Sequence, residues 1–262
     1  MKRATIVAPL FVAAAAIGGG CTTISTDRTR AVAIEFDSLP FPAVLSGDTL
    51  RDSLGRVTPL RAVAFNASGA GIPGASIQYL ALDTGLTIDA AGIVTAQRDY
   101  GPVRIVASAN GLQSITKSLE VARRPDTLRL ANAGDSATTL AITSPDNPGS
   151  NVTAPLKVTL ASGKPYKTVV TATRGWLVTW RLLFRGVPLS PSDTTIASLW
   201  GSSGTNVSFV DTTNADGASS RRLRIRVLLP DDAPLVVQAT AKYRGAVVSG
   251  SPVTFTVRTR KP

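Results

Sequence analysis

Arginine occupies every second position in one short stretch of this chain: Arg222, Arg224 and Arg226 alternate with Leu223, Ile225 and Val227. A second basic run, Arg258, Arg260 and Lys261, closes the alternation of Val253, Phe255 and Val257 with Thr254 and Thr256. Guanidinium is a planar fork of donors that matches carboxylate and phosphate oxygens two at a time. On an extended strand, alternate residues share one face, so each run predicts a row of cations opposite a row of apolar side chains. If the two strands are sheet neighbours, their guanidinium groups stand about 5 to 7 Å apart. With Arg181 and Lys157 also facing outward, such a face could grip an anionic polymer. The competing reading is a solvated face whose charge deters edge-to-edge aggregation.

Carboxylate chemistry is the next possibility. Residues 211–217 read Asp-Thr-Thr-Asn-Ala-Asp-Gly, in which Asn214, Asp216 and Gly217 match the middle of a calcium-coordinating loop. Thr212 stands where the first Asp ligand belongs and Leu223 where the closing Glu belongs. A hairpin turn held by Asn and Gly is therefore expected, and no metal. Asp83, Asp89, Asp99, Asp231 and Asp232 could supply acid–base pairs, but all fall in turns or at strand ends, where Asp is favoured for backbone reasons. The chain has no His and one Cys, Cys21. That composition excludes Ser-His-Asp and Cys-His nucleophile systems, zinc sites of the His/Cys type and an internal disulfide. No catalytic residue and no cofactor is expected. Asn66, Asn151 and Asn206 open glycosylation sequons, which matter only in a glycosylating secretory pathway.

The elements that would position these residues are strands. Apolar residues make up 44% of the chain and aromatics 5%, and Thr, Ser, Val, Ala and Gly suit short strands joined by tight turns. Residues 86–110 read LTIDAAGIVTAQRDYGPVRIVASAN: a turn at 89–92, a short strand at 93–96, a loop, then a strand at 103–109 with Val103, Ile105 and Ala107 on one face. Further strands are expected at 31–36, 60–65, 76–80 and 114–121, the last with Ile115, Leu119 and Val121 on a common face. Ala122-Arg123-Arg124-Pro125 reads as a linker and 126–130 as a restart; residues 144–151 are loop chemistry. Beyond them Leu156, Val158 and Leu160 alternate, as do Trp176, Val178, Trp180 and Leu182 against Thr179 and Arg181, and as do Leu223, Ile225, Val227 and Leu229. Trp180 is the expected central core aromatic. Residues 184–208 read as an insertion and have no assignment. The expectation is all-β: two sandwich domains in tandem, 31–122 and 123–262.

The N-terminus has a different pattern. Lys2 and Arg3 precede an apolar run to Ile17 that is interrupted by Pro9 and followed by Gly18-Gly19-Gly20-Cys21. This is short and Gly-rich for a membrane span, which needs about 20 apolar residues. Residues 1–21 resemble a bacterial lipoprotein signal, in which small residues precede a Cys that is lipidated and becomes the mature N-terminus; Gly18 stands where that pattern usually has Leu. The resemblance implies acylation of Cys21, attachment to a membrane through the lipid anchor, and, with Thr22 rather than Asp after the Cys, the outer membrane or cell surface. An ordinary secretory signal and an uncleaved anchor are the alternatives. Residues 22–30, TTISTDRTR, form a polar tether.

Two further resemblances concern the body of the chain. Gly92-Ile93-Val94-Thr95-Ala96, leading into the strand that contains Ile105-Val106-Ala107, resembles the "G-x-V-T-A" and "I-x-A" of bacterial Ig-like domains over about residues 44–121, with Tyr79 in place of their usual Trp. PLKVTLASGKPYKT, GWLVTWRL and DTTNADGASSRRLRI resemble Ig-like repeats of the invasin and intimin type, Asn214 replacing the Asp of their "D-x-x-G". The formal charge is +11, two units of it from Lys2 and Arg3, which draws a protein to anionic polymers and membrane surfaces. An export leader argues against nucleic acid. The resemblances together imply a non-catalytic binding, adhesion or spacer module whose partner is an anionic cell-envelope polymer or a surface protein. A ligand-free structural or assembly subunit and an enzyme hidden on the same fold are the rivals.

Overall fold

The computed structural model describes residues 30–97, 100–143, 151–163, 170–204 and 206–262. Cys21 with its leader, the tether up to residue 29, Asp99 and the loop at 144–150 lie outside the described residues. Among the described residues there is no helix.

The first sandwich is built from β1 (Ala33–Phe36), β2 (Ala43–Leu45), β3 (Ala62–Phe65), β4 (Gln78–Ala81), β5 (Leu86–Ile88), β6 (Val94–Ala96), β7 (Gly101–Ala109), β8 (Leu112–Gln113) and β9 (Lys117–Ala122). The second comprises β10 (Thr127–Leu130), β11 (Ala137–Ala141), β12 (Leu156–Ser162), β13 (Thr171–Ala172), β14 (Leu177–Phe184), β15 (Val187–Pro188), β16 (Ala197–Trp200), β17 (Val210–Thr212), β18 (Ala218–Ile225), β19 (Leu235–Tyr243), β20 (Ala246–Val247) and β21 (Val253–Arg260).

One plan is used twice. In the first sandwich β1 pairs with β3, and β5 with β6; Leu60 N–H donates to Gly92 O at 2.9 Å alongside these pairs. The facing sheet runs β2-β9-β7-β4. In the second sandwich the sheets run β10-β12-β18-β16 and β11-β21-β19-β14-β15. In both, the opening strand (β1 or β10) pairs antiparallel in one sheet; the chain then crosses over, and β2 or β11 pairs parallel with the closing strand, β9 or β21, of the other. Both are Ig-like sandwiches.

Alternation decides the core. Trp176, Val178, Trp180 and Leu182 are all buried, and Trp180, 1% exposed, stacks on Phe255 with ring centroids 6.1 Å apart. Tyr79 is half-buried and packs on Phe36 at 5.7 Å. In two expected strands a change of extent alters what is buried. β9 starts at Lys117, leaving Ile115 84% exposed rather than on the core face, because the chain turns at 110–111, pairs back on β7 as β8 and runs outside any strand through 114–116. β18 ends at Ile225, so Val227 is exposed instead of continuing the alternation, although Leu229 is buried. The unassigned stretch 184–208 supplies β16, the edge strand beside β18, which the sheet needs to cover that side of the core with Ala197 and Leu199.

Candidate functional site

The two arginine runs do not share a face. β18 hydrogen-bonds to β12 and β16, whereas β21 bonds to β19 and β11 in the other sheet. Outward positions of opposed sheets point away from each other, so Arg258 and Arg260 lie on the far side of the sandwich from Arg222 and Arg224. This corrects the expectation of one patch: alternation specifies which way a side chain points but not which sheet holds its strand. Arg258 and Arg260 are exposed, in register with Thr139 and Ala141, and Arg258 donates to Asp231 O at 2.9 Å. Arg181 is exposed on that same far sheet, in register with Gln238.

A different set of cations meets on the near sheet. Leu128, Leu156, Val158, Leu160, Leu199 and Leu223 fill the core side, which turns Arg129, Lys157, Arg222, Arg224 and Trp200 outward. Arg129 is in register with Thr159, Lys157 with Ser220, Arg222 with Trp200 and Arg224 with Ser198. Each step from Arg129 to Lys157 to Arg222 therefore moves one strand across and two residues along, a diagonal of about 7–8 Å. Arg129, Lys157 and Arg222 are exposed. Arg224, expected in solvent, is only 9% exposed and lies over Trp200 with its guanidinium carbon 5.7 Å from the ring centroid. Trp200 Nε1 in turn donates to Ser198 Oγ at 2.7 Å. No Asp or Glu occupies a strand position of this sheet, and among the described residues none of these four cations is ion-paired. Arg226 follows the strand end; its backbone N–H bonds to Ile196 O, and its Nε is buried without an acceptor among the described residues.

The doublet Arg221-Arg222 places one guanidinium on each side of the same strand. Arg221 points inward, its side chain 3% exposed, and its Nη1 lies 3.0 Å from Asp211 Oδ2. It also donates to Ser208 O, Ser220 O and Val210 O. Asp211 Oδ2 accepts from Ser219 Oγ at 2.8 Å, and Ser219 Oγ accepts from Trp180 Nε1 at 3.2 Å. Burial pushes the Arg221 guanidinium below its ordinary value while Asp211 draws it back up, and an arginine so placed stays charged. The network binds β17 to β18 at the mouth of the core. The reading of outward arginines overlooked it; the signal was an arginine on the parity of Leu223 and Ile225, with an acid upstream across a turn.

The turn side chains Asn214 and Asp89 serve the backbone. Asn214 Oδ1 accepts from Asp216 N–H at 3.0 Å and Ala218 N–H at 2.9 Å, making the hairpin turn between β17 and β18. Asp89 Oδ1 accepts from Ala91 and Ile93 N–H. Asp83 holds Arg104 at 2.7 Å and is lowered to about 2, first by hydrogen bonds from that side chain and its backbone N–H. Among the described residues no group of three or more His, Cys, Asp or Glu is placed to hold a metal ion.

A second constellation joins the two sandwiches. Phe41 packs on Trp176 with ring centroids 4.9 Å apart, and Trp176 Nε1 donates to Lys242 O at 2.9 Å. Arg244 Nη2 meets Asp48 Oδ2 at 2.6 Å, and Arg174 Nε lies 3.5 Å from Glu120 Oε2. Burial opposes the charge of Asp48, yet hydrogen bonds from Arg244, Thr49 N–H and Arg51 together outweigh it and hold the carboxyl below its usual value. At Glu120 burial prevails over Arg174 and pushes the carboxyl up. Gly55 and Gly175 let the backbones close: a Cβ on Gly175 would lie 2.6 Å from Glu120 Cβ, and one on Gly55 2.5 Å from the Arg244 carbonyl carbon.

Comparison with family models and with curated proteins gives no match. Among solved structures, the adhesin InvE of Yersinia pseudotuberculosis aligns over 86% of this chain and 58% of its own, at 14% identity and a TM-score of 0.31. FdeC, an Escherichia coli adhesin, aligns over 86% of this chain and 63% of its own, at 16% identity and a TM-score of 0.27. Domains 4 and 5 of the S-layer protein SbsC align over 87% and 96%, at 11% identity and a TM-score of 0.28. The chain thus spans about three-fifths of the two adhesin chains. These superpositions are loose, and the fold stands on the strand pairing above.

Proposed function

We propose that this chain is an exported lipoprotein, acylated at Cys21, whose two sandwiches form one stiff, non-catalytic arm for binding or spacing at the outer membrane or cell surface. The joint carries this reading. A ring contact, two ion pairs and a pair of glycine close approaches lock the sandwiches in series, whereas a loose linker would let the second swing freely. A stiff arm holds its far sandwich at a set distance from the anchor.

Spin labels at Ile115→Cys and Val187→Cys, both at exposed sites, in a chain also carrying Cys21→Ser, test the arm. A narrow label-to-label distance distribution is expected; a broad one rejects the stiff arm. Fatty-acid labelling of wild type against Cys21→Ser tests the tether, with loss of label in the variant expected. Equal label in both, or none in wild type, rejects acylation at that residue.

A further inference from the structure

We propose that the outward face of the sheet β10-β12-β18-β16 binds an anionic polysaccharide, with acidic groups on the stripe Arg129, Lys157 and Arg222 and a sugar ring against Trp200 beside Arg224. The inference uses the envelope reading only to say where such a polymer would be met. The site itself stands on the second sandwich alone.

Three observations carry it. The stripe advances two strand spacings and four residues, about 16 Å end to end, and so follows a chain-like anion rather than a single small one. The sheet carries no carboxylate at any strand position, whereas a face that merely solvates charge mixes both signs. Arg224 is a cation nine-tenths buried and unpaired with any carboxylate among the described residues, held on an indole face. An anion arriving from solvent would give that guanidinium the acidic partner it lacks.

The remaining outward side chains choose among anionic polymers. Thr159 and Ser220, both partly exposed, set hydroxyls among the cations, partners suited to a polyhydroxylated chain. A membrane surface would call for apolar side chains that enter the lipid, and a nucleic-acid strand for a succession of stacking aromatics. This face offers one aromatic, Trp200, 5.7 Å from the guanidinium of Arg224.

The test is titration of the full chain, held in detergent and with Cys21→Ser so that it carries no acyl chain, against polygalacturonate, dextran sulfate, uncharged dextran, poly(U) and phosphatidylglycerol vesicles. Binding to at least one acidic polysaccharide and none to uncharged dextran is expected. Lys157→Gln with Arg222→Gln should weaken it at least ~10-fold, the loss of two charge-assisted hydrogen bonds. Trp200→Leu should weaken it several-fold with the charge unaltered. Arg258→Gln with Arg260→Gln, on the opposite sheet, should leave affinity within about twofold, as distant rim charges do. Melting curves certify that each variant folds, and Arg222→Lys, which keeps the charge, should retain part of the affinity. The proposal is overturned by no binding to either acidic polysaccharide, or by equal losses from the near-sheet and far-sheet variants. It is also overturned if Trp200→Leu has no effect, or if poly(U) or vesicles bind more tightly through the same stripe.

Discussion

Asp48 and Arg244 are 196 positions apart in the chain and 2.6 Å apart in the fold, one in each sandwich. With Arg51 3.4 Å away on the other carboxylate oxygen, Asp48 is the electrostatic centre of the joint, and the joint is therefore sensitive to acid. Because its folded pKa lies below 3.8, its contribution is fully present above the unfolded value of about 3.9 and is lost as pH falls through the folded value. Glu120 has the opposite sign: its folded pKa lies above 4.5, so its contribution is present below that value and is lost as pH rises towards the folded one. Urea unfolding between acid and neutral pH should show Asp48→Asn flattening the acid limb and costing about 1 kcal/mol at neutral pH. Glu120→Gln should remove the decline above pH 4.5.

Gly175 adopts φ of +70° against the Glu120 side chain. Gly175→Ala meets both the left-handed backbone penalty and the occupied space, a cost of about 1–3 kcal/mol. The expected signature is local: the spin-label distance distribution between the sandwiches broadens, while the near-ultraviolet signal of buried Trp180 is kept.

In the Arg221–Asp211 pair the arginine side chain is buried and the carboxylate 26% exposed. Asp211→Ala should cost about 3 kcal/mol, the cost of leaving a desolvated guanidinium without its partner, and Arg221→Ala less, because the carboxylate it leaves reaches solvent. The double variant Arg221→Ala with Asp211→Ala should cost less than the sum of the singles. Equilibrium denaturation of the four-member cycle measures the coupling.

Asp83 supplies a site-specific readout on the first sandwich. Its carboxyl should titrate near the value of about 2 set by Arg104, and Arg104→Gln should return it towards 3.8, the ordinary value. Carbon-detected NMR titration follows the side chain directly.

The legible parts of this chain were those written at a period of two. Trp176 to Leu182 announce their buried face, and Trp180 its place at the centre, because half-buried strands sort side chains by parity. Parity is silent about partners. It could not say that β18 and β21 belong to different sheets, since that is decided by pairing across many residues. Nor could it show that Arg224 would be covered, because its cover is Trp200, delivered by a strand inside a stretch that looked like an insertion. The joint was invisible for the same reason: Phe41, Asp48, Trp176 and Arg244 show no common spacing, and only stacking two finished sandwiches brings them together. Arg221 was legible in principle, as a charged residue out of step in an apolar register.

The crossing from β1 to β2, and again from β10 to β11, lays the strand after the crossing parallel beside the leaving strand of each sandwich. A pull applied at the two ends of such a unit loads these bonds in shear, so they must give way together rather than peel apart in turn. If the arm is anchored and loaded as proposed, the backbone ladder itself is the mechanical fuse.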